Sequence, residues 1–148
     1  MIRAATEDDL PAIERALIAA DLPVEGVGAV VGQFVVADDG NGLIGAAGLE
    51  WHGDSALLRS VVVDVASRGT GVARSMVTEL LDRAAARNVA GVFLLTTTAE
   101  SWFARLGFTP IERADAPAEI RASDEFASIC PGDATVMRRN FTRDGGVA

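Results

Sequence analysis

Several residue types are scarce or missing in this chain of 148 residues, and each gap excludes a class of protein. Cys130 is the single cysteine and cannot form an intramolecular disulfide. We expect an inert, buried thiol, and the alternative is a nucleophile that carries the acetyl group in a ping-pong reaction. One histidine provides no cluster with zinc-ligand spacing, and we predict no metal. The apolar runs are too short to cross a bilayer, and no export signal is visible. We therefore expect a cytoplasmic protein without a membrane anchor.

Lysine and tyrosine are absent altogether. All 13 basic residues are arginine, against 21 acidic residues, and the formal net charge is −8. Nucleic-acid binding needs basic side chains that displace counterions, so we expect no nucleic-acid partner. The acidic composition fits a high-salt cytoplasm or a GC-rich genome. With 49% hydrophobic and 23% charged residues, the chain is expected to form one domain over residues 1–141, followed by a flexible tail at 142–148.

Hydrophobic periodicity predicts an alternation of helices and strands. Helices are expected at residues 7–20, 71–87 and 99–106, and strands at 34–37, 43–51, 57–65 and 91–97. The remainder of the chain, up to residues 135–138, is expected to supply edge strands. Thr6 and Asp9 resemble a capping box before the first helix. The first two strands flank an Asp- and Gly-rich turn typical of a hairpin, and the next two enclose a helix. The predicted fold class is α/β, with a mixed and mainly antiparallel sheet around a central β-α-β unit.

A glycine-containing turn, Arg68-Gly69-Thr70-Gly71-Val72-Ala73, lies between a predicted strand and a helix N-terminus. Free backbone amides and the helix dipole point to one place there, which favours binding of a phosphate. The alternative is a tight turn that binds nothing. A dinucleotide-binding fingerprint is set aside, because Arg74 stands at its third small position and the next strand ends in threonines.

The residues around this turn also carry a family pattern. The strand Val61-Val62-Val63-Asp64-Val65, followed by Arg68-x-x-Gly71-x-Ala73, resembles the acetyl-coenzyme A signature of the GNAT superfamily of N-acetyltransferases. Residues 2–10 resemble the first strand and helix of that family, and Leu106-Gly107-Phe108 resembles a later motif. The resemblance runs from residue 2 to about residue 110. It implies the GNAT fold and acetyl-CoA as cosubstrate.

The resemblance also implies a cofactor site at the end of the predicted strand 57–65. Backbone amides of the turn would hold the pyrophosphate, and main-chain groups of the strand would bind the pantetheine arm. A splay between the strands at 57–65 and 91–97 would admit that arm. The residues assigned in this way are Val61, Val62, Val63, Arg68, Gly69, Thr70, Gly71, Val72, Ala73 and Arg74.

A finer resemblance bears on the acceptor. Residues 94–110 are similar to the acetyltransferase domain of N-acetylglutamate synthases. The whole chain, including residues 120–126 and Cys130-Pro131, resembles the stand-alone arsenic-resistance-associated N-acetyltransferases. Residues 128–131 replace the arginine-rich ending of the synthases. The resemblance implies an amino acid or an amino-acid analogue as acceptor, without naming glutamate.

Direct attack of an amine on a thioester needs a neutral nucleophile and therefore a base. We select Glu50, because alternation places it on one strand face with His52, beside the expected cleft. A carboxylate in solvent is the alternative for Glu50. His52 and a water are the other candidates for the base, and Glu100 is equally suited to begin a helix as a charge matched to its dipole.

The departing thiolate needs a proton, which many family members supply from a tyrosine. Phe103 stands at the corresponding place here. The candidates that remain are a water, Ser101 and the hydroxyls of Thr96 to Thr98, and the thiolate also has the option of leaving unaided.

Arg59 interrupts an apolar strand, so its burial requires an anionic partner. We predict that Arg59, with Arg121, binds the carboxylate of an amino-acid-like acceptor, and we assign Thr96 and Thr97 to the same acceptor site. The alternative for Arg59 is a structural pair with Glu50 or Asp54.

The resemblance implies an acetyl-CoA-dependent N-acetyltransferase, and we expect its partner to be a small-molecule primary amine. A degenerate GNAT module that senses acyl-CoA without turnover is the alternative, suggested by the missing tyrosine. Protein lysines are a third acceptor class, disfavoured because an acidic surface does not attract a basic tail. A homodimer is a family expectation.

Overall fold

The computed structural model describes residues 1–126 and 134–141. Cys130, the other residues at 128–131, and the predicted tail at 142–148 lie outside the described residues. Within the described residues, no helix is both long and apolar enough to cross a membrane. The same part of the chain contains no group of three or more His, Cys, Asp or Glu side chains suited to a metal ion.

Seven strands and four α-helices make up the described chain. The strands are β1 Ile2–Ala4, β2 Phe34–Asp38, β3 Leu43–His52, β4 Ser55–Val63, β5 Gly91–Thr96, β6 Thr109–Ile111 and β7 Thr135–Asn140. The α-helices are α1 Leu10–Ala19, α2 Val72–Ala86, α3 Glu100–Ala104 and α4 Ala118–Arg121. Short 3₁₀ helices occupy Glu7–Asp9, Gly28–Gln33, Val65–Ser67 and Arg113–Asp115. The predicted order of elements is therefore confirmed.

The strands pair in the order β1-β2-β3-β4-β5-β7-β6. β4 and β5 are parallel, and α2 connects them in the chain, so the predicted β-α-β unit is present. β1 with β2, β2 with β3, β5 with β7 and β6 with β7 are antiparallel. The fold class is α/β with a mixed, mainly antiparallel sheet, as expected.

The chain forms two compact units, and the first comprises residues 1–50 and 58–82. Its hairpin pairs Phe34 with Gly48, and β1 lies antiparallel to β2. Helix α1 buries Ile13 and Leu17 completely, in a cluster with Phe34 and Val62. The apolar spacing of Leu10, Ile13, Leu17 and Ile18 thus predicted the packed face only in part, because Ile18 is 66% exposed.

The second unit comprises residues 51–57 and 83–148. In it, the first residues of β4 pair with β5, and β7 runs antiparallel to β5 along its whole length. A buried cluster contains Leu57, Phe93, Ala116, Ile120, Phe126 and Val136. This cluster joins side chains of β4, β5 and β7 to side chains of the segment 116–126.

Two expectations about strands are wrong. The fourth strand ends at Val63 instead of residue 65, since Val65 belongs to a 3₁₀ helix and is 72% exposed. Of the expected edge strands, β6 lies at the edge of the sheet, but the segment 135–138 does not, because β7 inserts between β5 and β6. Val136 and Met137 of β7 are buried, and an internal position removes both from water.

The predicted cap at Thr6 and Asp9 is present, although the first turn is a 3₁₀ helix. The Thr6 amide donates to Asp9 Oδ2 at 2.8 Å. Arg3 donates to both oxygens of the same carboxylate, at 2.8 and 2.9 Å. The Arg3 hydrogen bonds, followed by that of the Thr6 amide, lower the pKa of Asp9 to about 2.

Asp9→Asn is expected to make the free energy of unfolding depend less on pH in the acidic range. Because the folded pKa is depressed, the stabilisation by the Asp9 carboxylate is fully present above about pH 4 and is lost as the pH falls towards 2. Arg3 is 41% exposed, so solvent screening limits the difference to about 1 kcal/mol or less. Urea unfolding from pH 6 to pH 2 measures it, with Asp8→Asn as the control. Parallel pH curves for wild type and Asp9→Asn would contradict this assignment.

Candidate functional site

The glycine-containing turn leads directly into helix α2. The Ser75 amide donates to the Gly71 carbonyl at 3.0 Å, which is the first hydrogen bond of the helix. The amides of Val72, Ala73 and Arg74 therefore belong to the first turn, where an α-helix offers no acceptor of its own. These donors lie at the positive end of the helix dipole, where an anion is stabilised.

Two glycines keep one side of this turn open. Gly69 and Gly71 have φ values of 79° and 88°, a left-handed conformation that side-chain-bearing residues rarely adopt. A Cβ added at either position would meet no protein atom within 4 Å. The two residues are therefore glycine for their backbone conformation, and the space beside them is free for a ligand. This geometry fits the predicted phosphate site.

The side chain of Arg68 ties the turn to the end of β4. Its Nε donates to the carbonyl of Val63 at 3.1 Å. Arg68 thus fixes the direction of the main chain between the strand and the helix. A carbonyl has two lone pairs, so the Val63 oxygen retains the capacity to accept a second hydrogen bond.

A cleft of about 380 Å³ lies within the first unit, beside the same residues. Helix α1, the start of β3, the end of β4 and the following turn line it. Its lining residues are Ala12, Arg15, Ala16, Ala19, Ala20, Leu43, Ile44, Val62, Val63, Asp64, Val65 and Arg68. Three of the predicted cofactor residues, Val62, Val63 and Arg68, therefore border a concave surface.

Glu50 and Arg59 form an ion pair in the first unit. Arg59 Nη1 donates to Glu50 Oε2 at 2.7 Å, and the two side chains are 1% and 14% exposed. The sequence left open whether Arg59 forms a structural pair with Glu50 or Asp54, and the pair with Glu50 is present. The sequence also left open whether Glu50 is a carboxylate in open solvent, and it is not. The proposed base and the proposed carboxylate-binding residue are direct neighbours.

Arg59 makes two further hydrogen bonds. Its Nη2 donates to the carbonyl of Glu25 at 2.9 Å, and its Nε donates to Ser60 Oγ at 2.9 Å. One guanidinium therefore connects β3, β4 and the loop before the 3₁₀ helix Gly28–Gln33. Glu25 contributes its backbone carbonyl, and no sequence pattern indicates which carbonyl a buried arginine binds.

The backbone conformation of Ser60 is another property that the sequence does not predict. Ser60 has φ 60° in the middle of β4, a left-handed conformation that is uncommon for a residue with a side chain. Strict alternation of side chains does not hold across such a residue. The shared parity of Arg59 with Val61 and Val63, suggested by the sequence, therefore carries no information about their faces.

The remaining predicted residues belong to the second unit. Thr96 is half-buried, and its Oγ1 accepts the Ala99 amide at 3.0 Å in the turn before α3. Thr97 is exposed. Arg121 is exposed at the end of α4, and its Nε donates to the Ala116 carbonyl at 2.9 Å. The roles of Thr96, Thr97 and Arg121 in acceptor binding remain predictions. The splay between β4 and β5 also remains a prediction.

A family model described as an acetyltransferase (GNAT) domain matches residues 31–110. The matched range contains β2 to β5, the glycine-containing turn and α2. No curated protein matches the sequence significantly.

Solved structures share the fold over most of the chain. Rv2747 from Mycobacterium tuberculosis, in complex with CoA and NLQ, has a TM-score of 0.81 at 26% identity over 95% of this chain and 99% of its own. N-acetylglutamate synthase from Neisseria gonorrhoeae, complexed with coenzyme A and N-acetyl-glutamate, has a TM-score of 0.84 at 20% identity over 97% of this chain and 35% of its own. The PaiA N-acetyltransferase from Thermoplasma acidophilum, in complex with coenzyme A, has a TM-score of 0.71 at 14% identity over 95% and 98%. The last two likenesses show the fold alone.

Proposed function

The chain belongs to the GNAT acetyltransferase family, and we propose that it acetylates the primary amine of a small molecule of the amino-acid class. As a family member it is an acetyl-CoA-dependent N-acetyltransferase. The observation that carries the proposal is the glycine-containing turn at the N-terminus of α2, within the residues 31–110 that the family model matches. The relation to arsenic resistance, the cytoplasmic location and a homodimer stay predictions.

The donor site has the chemistry that acetyl-CoA requires. The first-turn amides of α2 and the open side of the turn at Gly69 and Gly71 suit the pyrophosphate. Main-chain groups of Val61, Val62 and Val63 would bind the amides of the pantetheine arm as a neighbouring strand would. Thr70 and Arg74 would contribute through their backbone amides, whereas the backbone amide of Arg68, which the sequence assigned to the same role, donates to the Val65 carbonyl at 3.3 Å.

The transfer itself forms a bond between the acceptor nitrogen and the acetyl carbon and breaks the bond between that carbon and sulfur. Glu50 would accept the proton that the amine nitrogen loses. Since Oε2 is held by Arg59, this proton transfer needs a Glu50 oxygen turned towards the amine. The thiolate receives a proton from water or a hydroxyl, or leaves as the anion, because the chain has no tyrosine.

An acceptor with a carboxylate would be recognised by a cation. Arg59 would serve only by exchanging its bond to Glu50 for the acceptor, since its side chain is 1% exposed. Arg121 is a second candidate, with Thr96 and Thr97 as hydroxyl donors. Support comes from the synthase of Neisseria gonorrhoeae, which shares the fold and was solved with N-acetyl-glutamate. The acidic surface favours small acceptors over lysine-rich tails.

Thiol release from acetyl-CoA tests this proposal. Purified protein would be assayed at low and high salt against amino acids, amino-acid analogues and polyamines, with a lysine-rich peptide as a separate arm. We expect release that depends on the acceptor and is fastest with a carboxylate-bearing amine. Tight binding of acetyl-CoA without release for any amine would instead favour the acyl-CoA sensor.

Gly71→Ala is expected to weaken acetyl-CoA binding about tenfold. The left-handed φ of 88° raises the conformational energy of an alanine by about 1–2 kcal/mol. The Cβ of that alanine would also enter the space assigned to the pyrophosphate. Isothermal titration calorimetry measures the Kd. Gly40→Ala is the matched control, because Gly40 has φ 91° and equally open surroundings in the β2–β3 hairpin. Equal Kd values for Gly71→Ala and Gly40→Ala would contradict the phosphate site.

A further inference from the structure

We propose that Arg59 is a positioning residue, which holds Ser60 in its left-handed conformation and so sets the direction of the main chain at residues 61–63. This inference rests on the proposed donor site, because those three residues are the ones assigned to the pantetheine arm. It differs from direct binding of an acceptor carboxylate by Arg59. The two roles predict effects on different substrates.

Ser60 needs support for its conformation. A left-handed residue inside a strand is unfavourable for any side chain with a Cβ, and it persists where the surroundings hold it. The Ser60 hydroxyl accepts a hydrogen bond from Arg59 Nε at 2.9 Å. Because the donor belongs to the preceding residue, this bond acts directly on the kinked part of the backbone.

Arg59 can provide that support because it is itself held firmly. Its side chain is 1% exposed, and it donates to Glu50 Oε2 at 2.7 Å and to the Glu25 carbonyl at 2.9 Å. The planar guanidinium presents donors in a fixed fork, so three contacts in different directions define its position. A lysine at this place would keep the charge for Glu50 but would lose the fork.

The cofactor segment is thereby held at both ends. Ser60, bonded to Arg59, stands immediately before Val61, and the Val63 carbonyl accepts from Arg68 Nε at 3.1 Å. Between these two arginine contacts lie the main-chain groups assigned to acetyl-CoA. A change of backbone conformation at Ser60 would rotate the peptide groups that follow it and misdirect them.

The test compares alanine and glycine at position 60. Both remove the hydroxyl, but only glycine adopts a φ of 60° without a Cβ penalty. We expect Ser60→Ala to raise the Kd for acetyl-CoA about tenfold and Ser60→Gly to stay within about threefold of wild type. Asn88→Ala and Asn88→Gly form the control pair, since Asn88 has φ 63° after helix α2. Equal Kd values for the two Ser60 variants would overturn the inference.

A second comparison separates positioning from acceptor binding. Arg59→Lys is expected to raise the Kd and KM for acetyl-CoA about tenfold, and adding Ser60→Gly is expected to restore most of that loss. An Arg59→Lys variant that raises only the KM of the acceptor, with no rescue by Ser60→Gly, overturns the inference and leaves the carboxylate-binding role.

Calorimetry distinguishes failure of this inference from failure of the proposed function. A wild-type protein that binds acetyl-CoA but releases no thiol contradicts the transferase function, while the Kd comparisons at positions 59 and 60 still decide the positioning role. A wild-type protein that binds no acetyl-CoA overturns both. If Arg59→Lys does not fold, the comparison of the Kd values of Ser60→Ala and Ser60→Gly decides the positioning role.

Discussion

Glu50→Gln is expected to lower kcat about 100-fold, with little change in the Kd for acetyl-CoA, because glutamine cannot accept the proton of the amine. The amide oxygen can still accept the hydrogen bond of Arg59 Nη1, so the substitution removes the base while preserving the local geometry. Steady-state kinetics with a saturating amine acceptor measure kcat, and calorimetry measures the Kd.

Two further variants make the Glu50 result specific. His52→Gln tests the other base candidate at the end of β3 and is expected to leave kcat within about threefold of wild type. Glu14→Gln removes a carboxylate from α1 and controls for the change in net charge. A Glu50→Gln enzyme that keeps wild-type kcat would exclude Glu50 as the base, and a large loss in His52→Gln would transfer the role to the histidine.

Arg59→Met is expected to lower the free energy of unfolding by about 3–5 kcal/mol, since it leaves the Glu50 carboxylate without its guanidinium in a largely buried place. Methionine fills much of the same volume, so the loss measures the charge and the hydrogen bonds more than a cavity. Urea unfolding at pH 7 provides the free energy.

A double variant checks the cause of this loss. Arg59→Met with Glu50→Leu removes both charges, and a buried pair replaced by apolar side chains is often neutral in stability. Most of the single-variant loss should therefore be recovered. Arg3→Met is the comparison at an exposed pair with Asp9, where the change should be much smaller. An Arg59→Met protein as stable as wild type would show that the pair is not structural.

Local patterns account for what was predicted correctly. The Asp- and Gly-rich turn encodes the hairpin that is seen as Phe34–Asp38 and Leu43–His52. The apolar stripe of residues 71–87 encodes α2, with Met76 and Leu80 fully buried. Each of these signals extends over a few residues or one helix face, so neighbouring residues suffice to express it.

The strand order at the end of the chain was not encoded in this way. Residues 135–138 show the alternation of a strand, but the pattern does not tell which strands flank it. β7 pairs with both β5 and β6, and its position depends on which pairing buries Val136 and Met137. That choice involves residues that are tens of positions apart.

The candidate site likewise has one part that consecutive residues determine and one part that depends on the tertiary structure. The sequence by itself determined the strand, glycine-containing turn and helix that form the donor site, because backbone conformation and helix polarity follow from consecutive residues. Only the tertiary structure decided that Arg59 pairs with Glu50. It also decided that Arg59 reaches the Glu25 carbonyl and that Ser60 is left-handed. These features depend on contacts between β3, β4 and a distant loop, and a buried charge takes whichever partners the packed chain brings within hydrogen-bond distance.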